Sequence, residues 1–376
     1  MSEPWLDVVG IGEDGLAGLS PAARAALEAA GVVMGGDRWP ELPIPARRIG
    51  WPKALGGVAA ALRAERANRP VMLVTGDPLW YSVGARLLKE IPGEEIRYHP
   101  ALSVFQRAAA EMRWSLADVE TLALLRRSPD AAIRHFAPGA RLLVLVPGAE
   151  AAPALARLLT DNGYGESRIV ALHALGGPKA RRIEGRARDW SAPCPDFITL
   201  AVECRADPGA ALWPRLLPDA ALAGLDAAPE AARAAALAFL WPRRGARLLA
   251  FGPGAAALAI DWLRAARDAE ATVIGAAPDG VSEQAAALGA PRLAVAESAS
   301  GAFDAVFHSG LPEDLAGLKT RLAPSGRLLV EARGRDTDRL PALGPEGEAL
   351  RIMTERAGPK GWEGGAVLAH WRFASS

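Results

Sequence analysis

Behind the first apolar run of the chain, in LDVVGIGEDGLAGLSPAARAAL, Gly10, Gly12 and Gly15 spell a GxGxxG. Glycines at that spacing let a backbone approach a ligand closely, and after a strand they suit a dinucleotide-binding turn. In such a turn the third glycine lies inside the opening helix, whose N-terminus faces a pyrophosphate. Here the helix-start signal comes later, since Ser20 is a good N-cap and Pro21 suits the first helical position. The loop is therefore about ten residues long by its start and stop signals. It fits a flat organic cofactor covered by backbone contacts better than a helix aimed at phosphate. A tight turn needing φ > 0 at one or two glycines remains the plain alternative. A nicotinamide-dependent oxidoreductase is the other-class alternative, with Asp37 as its ribose acid; the late helix cap speaks against it. No Ser-His-Asp or Cys-His arrangement is evident, so chemistry that requires a protein nucleophile has no signature here.

The elements that must hold this loop alternate along the whole chain. Short β-rich runs are followed by Ala/Leu/Arg-rich helical runs, the pattern of parallel α/β sheets. The first part has candidate strands at 6–9, 31–34, 71–75, 141–146, 168–172 and 197–203. Around 206–227 Pro, Gly and Asp break any long period, which predicts a linker between a domain at 1–205 and a second at 228–376. After a helix from 229, further strands are predicted at 246–251, 271–275, 292–296, 304–308 and 326–332. Two β candidates follow at 350–355 and 366–373. Five β/α units closed by a β pair is the order of a seven-stranded Rossmann-like methyltransferase sheet.

Bulk composition narrows the partners. A chain of 376 residues exceeds one ordinary core, so two or three compact units are expected. Lys plus Arg equals Asp plus Glu at 43 each, which gives no global pull toward nucleic acid or an anionic membrane. The 11 tryptophans are scattered and form no base-stacking pattern. The 2 cysteines, Cys194 and Cys204, form no CxxC pair, and no His/Cys cluster has metal-ligand spacing, so neither a disulfide framework nor a metal is expected. The start MSEPWLDVV has no basic n-region, and no apolar run approaches ~18 residues, which predicts a cytoplasmic protein without membrane contact. A homo-oligomer is expected.

Several motifs resemble one family. The string DVVGIGEDGLAGLSPAARAALEAAGVVMGGDRW resembles the start of the tetrapyrrole methylases, especially the C5-methylating half of the precorrin-6Y C5,15-methyltransferase (decarboxylating) family. The likeness continues in LVTGDPLWYSVGARLL (73–88), in HPALSVFQRAAAEMRWSLADVETL (99–122), in DNGYGESRIVALHALGGP (161–178) and in FITLAVECRA. It implies a fold of two α/β subdomains, about 1–113 and 114–205, with S-adenosylmethionine between them. By motif, the cofactor would meet Gly10 and Gly12, the loop Gly76-Asp77-Pro78, and Ala101, Leu102 and Ser103. Val146, Pro147 and Gly148 with Ala174, Leu175 and Gly176 (to Gly177) would complete the site. The family's His-Gly-Arg-like stretch reads Leu125-Arg126-Arg127 here, and its polar step reads Val146-Pro147-Gly148.

Methyl transfer from a sulfonium to a ring carbon depends mostly on positioning. Asp77 is the tentative catalytic or positioning residue, its alternative being an Asx-turn carboxylate that caps the following backbone. The implied tetrapyrrole substrate carries many carboxylates, so Arg126, Arg127 and Lys179, with Arg181 and Arg182, are candidate anchors. For each, a solvated surface charge is the competing role. His99 before Pro100 reads as a packing or turn residue.

The second half resembles the Rossmann-like methyltransferase that is fused to this family and that methylates C15 and decarboxylates an acetate. Gly252 and Gly254 stand in its glycine turn, Asp261-Trp262 in the following helix, and LAPSGRLLVEA resembles the usual strand entry. Its cofactor positions differ. Ala250 replaces an Asp, Ala256 the third glycine, Gly275 the ribose acid, and Ala228-Pro229 a Thr-Lys. The expectation is a C-terminal domain without its own cofactor site, and the alternatives are the full bifunctional enzyme or a non-catalytic tetrapyrrole-binding protein.

Overall fold

The computed structural model describes residues 4–35, 38, 43–210, 212, 216–275, 277–333, 336, 338–339, 348–350, 356–358, 361–363 and 366–372. β1 (Leu6–Ile11) is the strand on which the N-terminal half is built. It lies in an all-parallel sheet of order β3-β2-β4-β1-β5, with β2 (Val32–Gly35), β3 (Arg47–Ile49), β4 (Pro70–Thr75) and β5 (Ile96–His99). A strand buried on both faces reads as a continuous apolar run. Leu6 and Val8 pack with α2 (Val58–Ala64) and α3 (Gly84–Leu87) on one side, and Val9 and Ile11 with α1 (Pro21–Glu28) on the other. The buried His99 ring nitrogen meets Asp7 at 2.7 Å and ties β5 to β1.

A second five-stranded sheet follows, with β6 (Glu120–Ala123), β7 (Arg141–Leu145), β8 (Arg168–His173), β9 (Arg181–Arg186) and β10 (Ile198–Glu203) in the order β6-β7-β10-β8-β9. Only β6 and β7 run parallel in it; the other pairs are antiparallel. Helix α4 (Val104–Met112) buries Phe105, Ala108, Ala109 and Met112 against Leu143, Val170, Leu172 and Ala201 of this sheet. Helix α5 (Ala151–Asp161) buries Leu155 and Leu159.

The C-terminal half carries α6 (Glu230–Leu240), β11 (Arg247–Phe251), α7 (Ala255–Ala265), β12 (Glu270–Ile274), α8 (Val281–Ala287), β13 (Leu293–Ala296), β14 (Phe303–Ser309), α9 (Leu315–Lys319) and β15 (Leu322–Arg333). β16 (Glu348–Leu350), the hairpin of β17 (Arg356–Gly358) and β18 (Gly361–Glu363), and β19 (Ala366–Arg372) follow. The sheet order is β13-β12-β11-β14-β15-β19-β16, with β19 antiparallel to both neighbours. This is the seven-stranded methyltransferase-type sheet, so the chain is α/β throughout. The expected strand at 350–355 is met only at its first residue, because 351–355 lie outside the described residues, as does 373.

The chain divides into two compact units, Met1–Arg127 with Ala137–Pro208, and Ser128–Phe136 with Gly209–Ser376. The short segment 128–136 thus belongs to the second unit, where Arg134 Nη1 donates to the carbonyls of Leu263 (3.2 Å) and Ala266 (2.9 Å). Leu217, Leu222 and Leu225, from the stretch with broken periodicity, are buried in the second unit's core. Among the described residues no helix is long and apolar enough to cross a membrane.

Candidate functional site

Three loops meet at the carboxyl ends of β1 and β4. Gly10 makes this possible, because a Cβ there would overlap the carbonyl oxygen of Gly76 and lie 3.0 Å from the Ala101 side chain and 3.1 Å from Pro78. The Gly76 amide donates to the Ile11 carbonyl at 2.8 Å, which binds the second loop to the first. Asp77 Oδ1 accepts from the Leu79 amide at 2.7 Å, so the carboxylate is fixed by an Asx-turn as the sequence alternative described. Ser103 caps α4 in a full capping box with Gln106. Ser20 caps α1 by accepting from the Ala23 amide at 3.2 Å, with Pro21 at its first position. The helix after the glycine loop therefore starts late, as its signals indicate. Asp37 lies outside the described residues.

These loops line a cavity of about 460 Å³ within the first unit. Gly12, Gly76, Asp77, Leu102, Ser103, Val146, Pro147, Ala174 and Leu175 from the expected set all face it. Gly10, Pro78 and Ala101 pack against one another beneath it rather than lining it. Gly148 lies beside Asp196, and Gly176 lines a neighbouring groove. Arg126, Arg127 and Lys179 are exposed and reach neither cavity, and neither does Arg181; Arg182 lines the neighbouring groove.

The sequence reading missed the aromatic and cationic walls. Trp51, Trp80, Tyr81, Phe105 and Phe197 line the cavity, and Trp80, Leu102 and Phe197 stand 53%, 55% and 66% exposed. The Arg38 guanidinium lies 4.4 Å from the Phe197 ring centroid and pairs with Glu13. Arg107, one turn into α4, donates to Asp14 at 2.6 Å. Three of the nine described non-glycine residues with positive φ, Tyr81, Ala174 and Phe197, face this one cavity. Backbone held in sparsely populated regions clusters at functional sites because packing elsewhere sustains it. The signal available in sequence was Trp80-Tyr81, one residue after Gly-Asp-Pro; nothing local marked Phe197.

The second unit has its own glycine turn between β11 and α7. Ala250 is fully buried in the strand, and Ala256 lies in the first turn of the helix. Gly275, just past β12, has φ +97°, a region L side chains rarely adopt, so an acid would be strained there. The Arg333 guanidinium lies 2.9 Å from where a Cβ on Gly254 would be, donates to the Asp226 carbonyl at 3.0 Å and pairs with Glu331. Burial pushes the Glu331 carboxyl up. A cation of the chain itself thus sits over this turn. Among the described residues no group of His, Cys, Asp and Glu is arranged to hold a metal ion.

Residues 6–190 match the family model of tetrapyrrole (corrin/porphyrin) methylases, and residues 227–372 that of a precorrin methyltransferase domain. A precorrin-6Y C(5,15)-methyltransferase [decarboxylating] from Sinorhizobium sp is 33% identical over 98% of this chain and 96% of its own. One from Mycobacterium tuberculosis is 34% identical over 68% of this chain and 66% of its own. A solved precorrin-6Y methylase from Archaeoglobus fulgidus is 24% identical, with TM-score 0.42, covering 54% of this chain and 99% of that one. With both matched regions in one chain and an end-to-end likeness to a relative one-third identical, the protein belongs to the precorrin-6Y C5,15-methyltransferase (decarboxylating) family, C-methyltransferases of cobalamin biosynthesis.

Proposed function

We propose that the first unit takes S-adenosylmethionine in its 460 Å³ cavity and methylates C5 of precorrin-6Y or its cobalt form, while the second unit has no cofactor site of its own. The observation that carries the reading is the meeting of the glycine loop, the Gly-Asp-Pro loop and the start of α4 around one apolar cavity. Fit supports it: Gly10 removes the Cβ that would push the loops apart, and Gly12 lines the cavity with no side chain, leaving room for the Asp14–Arg107 pair beside it. Asp77 offers a carboxylate without an ion-pair partner among the described residues to a positively charged ligand. When bound, the sulfonium supplies an activated methyl group with a good leaving group.

The chain's part is then to bind, orient and exclude water. Trp80, Leu102 and Phe197 present an apolar rim on which a flat macrocycle can lie, with the Arg38 guanidinium stacked on the Phe197 ring. Asp77, its carboxylate immobilised by the Leu79 amide, is a positioning group. In the second unit, the Arg333 side chain fills the space beside Gly254 and the missing acid at Gly275 removes a hydrogen-bond acceptor, and both disfavour a cofactor there. A charge-assisted hydrogen bond contributes roughly 1.5–3 kcal/mol, or about ten- to a hundredfold in affinity. A cytoplasmic setting and a homo-oligomeric state go with this reading.

A second reading keeps C15 methylation and decarboxylation, supported by the likeness of residues 227–372 to a precorrin methyltransferase domain. Mass spectrometry after incubation of the full chain with S-adenosylmethionine and precorrin-6Y separates them. The first reading expects one added methyl group with all carboxylates retained; two added methyl groups with loss of carbon dioxide would establish the second.

A further inference from the structure

Arg107 stands in a wall shared by two cavities. On its far side is a groove of about 940 Å³, also within the first unit, edged by Arg113, Arg168 and Arg182 and by a single acid, Glu111. Leu102 and Leu175 face both spaces, so what lies in the groove reaches the edge of the proposed cofactor cavity. The Arg107 side chain is held at one end by Asp14 and lies across Gly176, where a Cβ would overlap its Nη1. Its Nε is buried and has no partner in the structure. Leaving a buried donor unsatisfied is costly, so this side chain favours an added acceptor.

The other three guanidinium groups are arranged on rigid elements. Arg168 on β8 and Arg182 on β9 both bond to Glu184, whose carboxyl is held down to about 2, first by Arg168 and then by Arg182. That ionised brace fixes both side chains while leaving N–H donors unused. Arg182 also approaches Glu111 at 3.4 Å. Arg113, just past the end of α4, makes no ion pair among the described residues. Arginine's planar fork suits carboxylates bidentately.

We propose that this arginine groove seats the peripheral carboxylates of the tetrapyrrole, and that Arg107 is the specificity-determining contact where the groove opens to the methyl-transfer cavity. The inference rests on the methylase reading of the first unit. It replaces Arg126, Arg127 and Lys179, which reach neither space.

The test uses the full chain and uroporphyrin, a porphyrin with eight carboxylates, followed by fluorescence titration, with S-adenosylhomocysteine titrated separately. Arg113→Gln and Arg107→Gln are each expected to weaken uroporphyrin binding about tenfold, the value of one modest charge-assisted hydrogen bond. Arg126→Gln should leave it unchanged, and exposed Arg113→Gln should keep wild-type S-adenosylhomocysteine affinity, showing the fold intact. Unchanged uroporphyrin affinity in both groove variants, or no uroporphyrin binding by the wild type, overturns the inference. Loss of S-adenosylhomocysteine binding by the wild type would instead strike the cofactor reading, while arginine-dependent porphyrin binding would still support the groove.

Discussion

Arg233 Nε and Asp261 Oδ2 meet at 2.8 Å between α6 and α7, with both side chains sealed from solvent. Arg233 also bonds to Asp219 at 2.7 Å and to the carbonyls of Ala228 and Leu217, and Asp261 accepts from the Leu217 amide at 3.0 Å. Burial pushes the Asp261 carboxyl up, and the Arg233 hydrogen bond opposes that. The pair therefore pins the start of the second unit to the helix that follows its glycine turn.

Removing one partner leaves a buried charge uncompensated, at a cost of about 3–5 kcal/mol. Arg233→Met should lower hydrogen-exchange protection of α6 and α7 by that amount, and Arg233→Met with Asp261→Leu should recover much of it. Equal losses in the single and double variants would show that the pair is not coupled.

Glu184 offers a pH test on the first unit. Its carboxyl is lowered from 4.5 to about 2 in the folded chain, so its stabilisation is complete above about 4.5 and is lost as pH falls toward about 2. Both arginine partners are partly exposed, which limits the pair to about 0–1 kcal/mol. Glu184→Gln should lower first-unit stability at neutral pH by up to about 1 kcal/mol and flatten its acid limb in urea titrations, the loss shrinking toward zero as pH falls to about 2. A loss that persists undiminished down to the lowest pH would mean that the ionised carboxylate is not what stabilises.

Much of this molecule is legible in its residues, for identifiable reasons. Apolar runs flanked by Gly, Pro or a cap, such as Leu6–Ile11 and Arg247–Phe251, are strands because a buried parallel strand needs no alternation. Arg181–Arg186 escaped notice because an exposed edge strand of charged residues has no hydrophobic signal. The glycine loop was legible through its spacing and the late helix cap, and the Gly-Asp-Pro loop through the family resemblance. The Arg107–Asp14 contact, spanning 93 positions, depends on how the sheets are assembled, and no local pattern carries that. That Arg126, Arg127 and Lys179 line neither cavity likewise follows from the assembly of the sheets and not from any local pattern.

The expected linker at 206–227 should not cut uniformly. Leu217, Leu222 and Leu225 are buried, so we expect limited proteolysis to nick first within 206–216. Because Ser128–Phe136 packs within the second unit, the nicked protein should still elute as one species and separate only in denaturant. First cuts within 217–227, or immediate separation of the fragments, would contradict this.

The proposed function requires one S-adenosylmethionine site per chain, at the Gly12 loop. A Cβ on Gly12 would lie 2.6 Å from Asp14 Oδ1 and 2.9 Å from Arg107 Nη2, so Gly12→Val both blocks backbone approach and displaces that pair. Calorimetric titration of the full chain with S-adenosylhomocysteine, with NADH as a control, measures the claim directly. One site per chain, lost in Gly12→Val, and no heat from NADH are expected. Two sites per chain, or one that survives Gly12→Val, would contradict the proposed function.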